Sequence, residues 1–135
     1  MFVSEVQLRV RYAETDRMGY CYYGNYAQYF EVGRVEALRE VGHSYRSLED
    51  KGILLPVSTY SVKYLSPAHY DDLLTVRTRI LSSPTAKMEF AYETFNEKGL
   101  KLNEAETTLV FVSEKNGKPM RAPQELIESL SKYFN

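Results

Sequence analysis

The sequence predicts an α+β fold in which a five-stranded antiparallel sheet wraps one long central helix. Three observations predict it. Residues 4–12 alternate apolar and polar side chains; residues 25–41 change to a three- and four-residue apolar period; four strand-like runs then follow between residues 54 and 113.

In the first run Val6, Leu8 and Val10 share one side, with Gln7, Arg9 and Arg11 on the other, as a half-buried strand requires. From Asn25 to Val41 the residues Tyr26, Tyr29, Phe30, Gly33, Ala37, Leu38 and Val41 fall on one helical face. Gln28, Glu31, Arg34, Glu36 and Arg39 largely fill the remainder of that helix. A glycine on the apolar face costs about 1 kcal/mol of helix propensity relative to alanine, so Gly33 implies close backbone approach to a neighbouring element. Gly42 is suited to stop this helix, and Ser44 to cap a short second one that ends before Gly52.

The strand-like runs cover about 54–65, 72–82, 86–96 and 101–113, punctuated at Ser66-Pro67, Ser83-Pro84, Glu97-Lys98-Gly99 and Asn116-Gly117. Antiparallel meander pairing is the economical arrangement for them. Leu74, Val76, Thr78 and Ile80 alternate with Thr75, Arg77 and Arg79, and Met88, Phe90 and Tyr92 with Glu89, Ala91 and Glu93. Each of these two strands therefore offers one face to the helix. A last helix is expected from Pro123 to Phe134 on the spacing of Leu126, Ile127, Leu130 and Phe134. There is no repeat or linker, and 135 residues are expected to form a single domain over 1–135.

Composition narrows the function. Seventeen basic against eighteen acidic residues leave no field that would draw the chain to nucleic acid or an anionic membrane. A lone cysteine, Cys21, excludes an intramolecular disulfide, and with two histidines it does not make an ordinary zinc cluster, so no metal is expected. No basic segment followed by an apolar run opens the chain and no membrane-length apolar stretch occurs, which predicts a cytoplasmic protein.

Chemistry concentrates between Tyr12 and Tyr26, YAETDRMGYCYYGNY, where the first strand joins the long helix. Asp16 there can orient a water or attack an acyl carbon. The first turn of the following helix leaves N–H groups unpaired at its positive end, and these can hold the oxyanion that forms when a carbonyl is attacked. The donors would lie near Tyr23 and Gly24. Carboxylate and helix end together suffice for hydrolysis without a metal.

The stretch DRMGYCYYGNYAQYFEVGR resembles the D-x-x-G-x-x-x-x-x-x-Y signature of the 4-hydroxybenzoyl-CoA thioesterase family of hotdog proteins. LPVSTYSVKYLSPAHYDDLLTVRTRI and LNEAETTLVFVS are similar to that family's second, third and last strands. The resemblance implies a hotdog fold, active sites at the interface of a homodimer or homotetramer, and hydrolysis of acyl-CoA thioesters, with CoA entering as part of the substrate and no separate cofactor. It puts Asp16 at the catalytic carboxylate, Tyr23 at the oxyanion-binding amide, Gly19 at the turn toward the helix and Tyr26 at the signature tyrosine. Two departures matter: Tyr23 stands where one bacterial branch has a histidine, and the paired arginines that hold coenzyme in the 4-hydroxybenzoyl enzyme fall near Thr85 and Ala86, leaving Lys87 as the nearest cation. Lys63 is a further candidate for the coenzyme phosphates.

Plainer readings compete. Asp16 suits a turn-capping aspartate, the tyrosines around it suit packing, and Cys21 suits a small buried hydrophobe rather than a nucleophile. His43 and His69 are expected at the surface or in caps, Glu31 in an ion pair with Arg34, and Asp71-Asp72 in a solvated turn. Two other functions stay open: cleavage of acyl groups from acyl carrier protein, and a noncatalytic acyl-CoA-binding or envelope-associated module.

Overall fold

The computed structural model describes residues 1–134 of the chain. The first strand, β1 (Phe2–Arg9), leads through a 3₁₀ turn at Tyr12–Glu14 and a second at Tyr23–Asn25 into the long helix α1 (Tyr26–Glu40). A short helix α2 (Tyr45–Asp50) and a two-residue strand β2 (Ile53–Leu54) precede β3 (Val57–Tyr64), β4 (Leu73–Ile80), β5 (Lys87–Phe95) and β6 (Lys101–Val110). β7 (Val112–Ser113) pairs with β2, and α3 (Gln124–Leu130) follows.

The main sheet is antiparallel in the order β1-β4-β5-β6-β3. It is the five-stranded sheet and long helix expected of a hotdog fold, but it corrects the meander reading. β4, β5 and β6 are successive neighbours, whereas β3 crosses to the far side of β6 and β1 takes the edge of β4 instead. The side-chain period of a strand tells which face is buried and not which strand lies beside it. The connection does carry a sign: residues 65–72 are longer than a hairpin loop of two to five residues allows. Two of the predicted runs are also divided. Pro56 separates β2 from β3, and the pairing breaks at Phe111 between β6 and β7.

The buried faces agree with the alternation. Leu74, Val76, Thr78 and Ile80 of β4 and Met88, Phe90, Tyr92 and Thr94 of β5 point into the core. α1 lies over them with Tyr26, Tyr29, Phe30, Gly33, Ala37 and Leu38 inward. Full burial of a residue such as Phe30 or Leu38 stabilises by roughly 1.5–3 kcal/mol, so this face holds the helix to the sheet. Arg34 departs from expectation: it is buried rather than on the polar face, its Nε 3.1 Å from the Tyr45 hydroxyl and its Nη2 3.9 Å from Glu31.

Both ends of α1 are fixed. At its end the Gly42 N–H donates to the Arg39 carbonyl (3.0 Å) and the His43 N–H to the Leu38 carbonyl (2.9 Å), with Gly42 at φ +93°. This is the reciprocal pair of bonds by which a left-handed glycine closes a helix. α2 begins as expected, with the Ser44 hydroxyl accepting from the Ser47 N–H. Among the described residues no helix is long and apolar enough to cross a membrane.

Gly33 sits where α1 lies tight against β4. A Cβ there would stand 2.5 Å from Thr78 Oγ1 and 3.2 Å from Val76 Cγ1. Gly33→Val should therefore destabilise the fold by about 2 kcal/mol or more, because overpacking typically costs 1–3 kcal/mol and a β-branched residue recovers little helix propensity. A fall in the guanidinium chloride midpoint at unchanged slope checks this.

Candidate active site

Asp16 sits in a turn that its own carboxylate builds. The Asp16 N–H donates to the Tyr20 carbonyl (2.8 Å) and the Gly19 N–H to the Asp16 carbonyl (3.0 Å), with Gly19 at φ +81°, the left-handed region where a side chain is strained. Asp16 Oδ1 accepts from the N–H groups of Met18 (2.9 Å) and Tyr20 (3.1 Å). Its other oxygen, Oδ2, has no hydrogen-bond partner among the described residues. The turn-capping reading of Asp16 therefore accounts for Oδ1 and leaves Oδ2 available.

The chain then meets α1 through the 3₁₀ turn at Tyr23–Asn25. The Tyr22 N–H donates to the Glu14 carbonyl (2.8 Å), the Asn25 N–H to the Tyr22 carbonyl (2.9 Å) and the Tyr26 N–H to the Tyr23 carbonyl. This leaves the amides of Tyr23 and Gly24 without an acceptor among the described residues, as the first donors of a helical segment are. Their dipoles and that of α1 favour negative charge in front of them.

Asp16 and Tyr23 border one cleft of about 300 Å³, together with Met18, Tyr20, Cys21 and Tyr26. Its opposite wall is Tyr64 at the end of β3 and the Leu65-Ser66-Pro67 segment that carries the chain away from it. The buried Tyr26 ring stands 5.8 Å from that of Tyr64, centroid to centroid, and forms the join between the walls. Apart from the carboxylate and the hydroxyls the lining is apolar, which suits an acyl or pantetheine-like chain ending at a polar reaction centre.

The other candidate residues lie apart. Lys63 adjoins Tyr64 but faces the outside of the sheet, beside Arg79, Glu93, Lys101 and Glu104. Lys87 opens β5 opposite Val110, roughly 23 Å along the strand from the Thr94–Asn103 row that adjoins Tyr64. Glu31 is exposed, its Oε2 at 3.9 Å from Arg34 Nη2. Asp71 and Asp72 form a turn, with Asp71 at φ 69° and Asp72 Oδ2 accepting the His69 N–H. His69 is exposed and packs edge-on against Tyr20 at 5.4 Å. His43 is not a surface residue: its backbone closes α1, and its ring is buried with Nε2 2.8 Å from Ser129 Oγ. Burial pushes the His43 imidazole below its ordinary value.

Glu14 is the residue that sequence reasoning missed. Only 7% exposed, it accepts at Oε1 from the Arg11 N–H (2.8 Å) and the Tyr29 hydroxyl (2.9 Å), with Arg11 Nη2 3.0 Å from Oε2. Burial alone would raise this carboxyl, but the bonds from Arg11 and Tyr29 outweigh it and hold Glu14 below the usual range. The spacing Arg11-x-x-Glu14 was visible, but the Tyr29 partner lies fifteen residues on and becomes a neighbour only when α1 folds back. Cys21 is buried beside the same group, its Sγ 3.5 Å from the Tyr29 hydroxyl, and burial raises its thiol, which disfavours a nucleophilic thiolate.

Comparison with known proteins agrees with this architecture. Residues 10–130 match the family described as the thioesterase-like superfamily. The acyl-CoA thioester hydrolase YbgC of Escherichia coli O6:H1 is 32% identical over 120 residues, covering 89% of this chain and 90% of that one. The crystal structure of a DHNA-CoA thioesterase from Staphylococcus aureus superposes with a TM-score of 0.94 at 35% identity, covering 98% of this chain and 91% of that one. A 4-hydroxybenzoyl-CoA thioesterase variant with 4-hydroxybenzoyl-CoA bound shares the fold at a TM-score of 0.86 and 19% identity, over 96% of this chain and 99% of that one. The chain belongs to the thioesterase-like superfamily, and its fold is the hotdog fold.

Because Glu14 titrates lower in the folded chain than the value near 4.3 of a free glutamate, its contribution to stability is complete above that value. The contribution is lost as pH falls through the folded value. Between about pH 5 and pH 3 the wild type should therefore lose stability more steeply than Glu14→Gln. Urea midpoints of both proteins across that interval provide the measurement.

Proposed function

We propose that this chain hydrolyses acyl-CoA thioesters to the free acid and CoA, with Asp16 and the amides of Tyr23 and Gly24 as its working parts. The observation that carries the reading is that one mostly apolar cleft is bordered by both Asp16, with an unpartnered carboxylate oxygen, and Tyr23, whose amide is without an acceptor like that of its neighbour Gly24 outside the lining, in a member of a thioesterase superfamily. YbgC, so named as a thioester hydrolase, gives the substrate class its support.

In the reaction the thioester carbonyl oxygen lies toward the Tyr23 and Gly24 N–H groups, which receive the charge that develops on attack. Asp16 Oδ2 either removes a proton from water as that water attacks the carbonyl, or adds to the carbonyl itself to give a mixed anhydride that water then hydrolyses, releasing the acid and restoring the carboxylate. In both routes the carbon–sulfur bond breaks and CoA leaves as its thiol with a proton that comes from water. Oδ1, tied to Met18 and Tyr20, keeps Oδ2 directed. Tyr26 forms the cleft wall against which the acyl thioester lies. The chemistry proposed uses no metal and no cofactor beyond the CoA of the substrate.

We infer that the working form is a homodimer. β3 is a sheet edge exposed on nearly its whole length, with Val57, Tyr60 and Tyr64 each more than two-fifths accessible. A long unprotected edge with apolar side chains is stabilised by pairing with another chain. Since Tyr64 also walls the Asp16 cleft, a second copy at β3 would complete the site. Lys63 and Lys87 do not border the cleft within one chain, so a role for either at the CoA phosphates requires that second copy.

Thiol release from a panel of aromatic, short- and medium-chain acyl-CoAs and an acyl carrier protein thioester tests the reading. Asp16→Asn, folded and assembled as the wild type, should lose about a hundredfold or more in kcat. A wild type inert toward every acyl-CoA would overturn the proposal, and cleavage of the carrier-protein thioester alone would replace it with that activity. Sedimentation should give twice the 15.6 kDa mass of one chain.

A further inference from the structure

The geometry points to Glu14 as a positioning residue for this site, one that sets the relation between the Asp16 turn and the helix-end amides by bonding to both sides of the junction. The inference rests on the hydrolase reading for its kinetic consequence, but its structural content stands without it.

Glu14 bonds to the chain where it leaves β1, to the segment around Tyr23 and Gly24 and to α1. Its backbone carbonyl accepts from the Tyr22 N–H (2.8 Å) and from Asn25 Nδ2 (2.8 Å). These residues flank Tyr23 and Gly24, so one oxygen holds the segment whose amides are free at both of its ends. Its carboxylate accepts from the Tyr29 hydroxyl on the first turn of α1 and from the Arg11 N–H where the chain leaves β1. Asp16 follows two residues later, joined to Glu14 only through Thr15, whose hydroxyl is itself tied to the Tyr12 carbonyl at 2.7 Å. Thr15 also bridges to Cys21, closing the turn that contains Asp16. Besides the main chain from Tyr20 to Tyr26 and the Cys21 contact with Tyr29, the Asp16 turn is tied to α1 through Glu14 and through the Thr15–Cys21 bridge next to it.

A purely stabilising role would leave the chemistry unchanged once the protein is folded. A positioning role would not, because displacement of an attacking group by about 1 Å can cost a hundredfold in rate with little effect on binding. Glu14 is not among the residues that line the cleft, so its effect must run through the groups it holds.

The test compares wild type, Glu14→Gln and Tyr29→Phe, with nitrogen-15 amide spectra as the first readout. Both variants should move the Tyr23 and Gly24 cross-peaks while leaving those of β4 and β5 in place. In the kinetic assay Glu14→Gln should lower kcat about tenfold or more and Tyr29→Phe about threefold, with KM changed by no more than about twofold. If Glu14→Gln does not fold, Tyr29→Phe carries the test, since it removes one bond to the carboxylate and leaves those from Arg11. Unmoved Tyr23 and Gly24 peaks, or unchanged kcat with reduced stability, would overturn the inference. A wild type without thioesterase activity would defeat the hydrolase reading alone, and the amide spectra would still decide the role of Glu14.

Discussion

The structure depends on how closely α1 can lie against β4. Gly33 removes the side chain at a point of close approach, where Thr78 and Val76 occupy the space a Cβ would need. That contact sets the height of the helix above the sheet. Phe30 then stacks on Tyr92 at 4.7 Å, and the Tyr92 hydroxyl meets Thr107 Oγ1 at 2.7 Å, which carries the same packing across to β6. With its C-terminal end closed by Gly42 and His43 and its N-terminal end tied to Glu14 through Asn25 and Tyr29, the helix has little freedom to slide. The free amides at Tyr23 and Gly24 are thus held by the core and not by a loop alone.

The two faces of the sheet are stabilised by different physics. Inside are aliphatic and aromatic side chains removed from water; outside, Glu93 meets Arg77, Arg79 and Lys101, and Lys101 also reaches Glu104 at 2.5 Å. Isolated surface pairs contribute about 0–1 kcal/mol each. Although these share Glu93 and Lys101 as a network, the contribution of that network is smaller than that of the burial opposite. Its effect is on association. A face of alternating charge stays hydrated, and the sheet's unpaired backbone groups are confined to its two edges, β1 and β3.

How much of this was legible in the sequence follows from what a local pattern encodes. The period gave the sheet faces of β4 and β5, the inward face of α1 and the meaning of Gly33, because each depends on the direction of successive side chains along one element. The D-x-x-G-x-x-x-x-x-x-Y spacing picked out Asp16 and Tyr26, which border one cleft, and Gly19, which sits at a left-handed turn between them. Strand order was not legible, since β3 presents the same alternation whichever neighbour it has. Nor were the burials of Glu14, Arg34 and His43, whose partners Tyr29, Tyr45 and Ser129 are brought to them by folding. Polar residues read as surface when their partners are distant in sequence. The burial of such a group is settled by tertiary bonds and not by composition.

Asp16 is held through the peptide groups of residues 18 and 20, while the side chains of Met18 and Tyr20 project into the cleft wall. The anchoring of the carboxylate and the shape of the space before it are thereby assigned to different atoms of the same residues. Exchange of the thioether or the phenol for another side chain reshapes the wall without removing a bond from the turn. On the proposed role of Asp16, such an arrangement would let a lineage drift between acyl groups while the reacting apparatus stays in place, and it would mark positions 18 and 20 as the natural starting points for directed evolution of new selectivity.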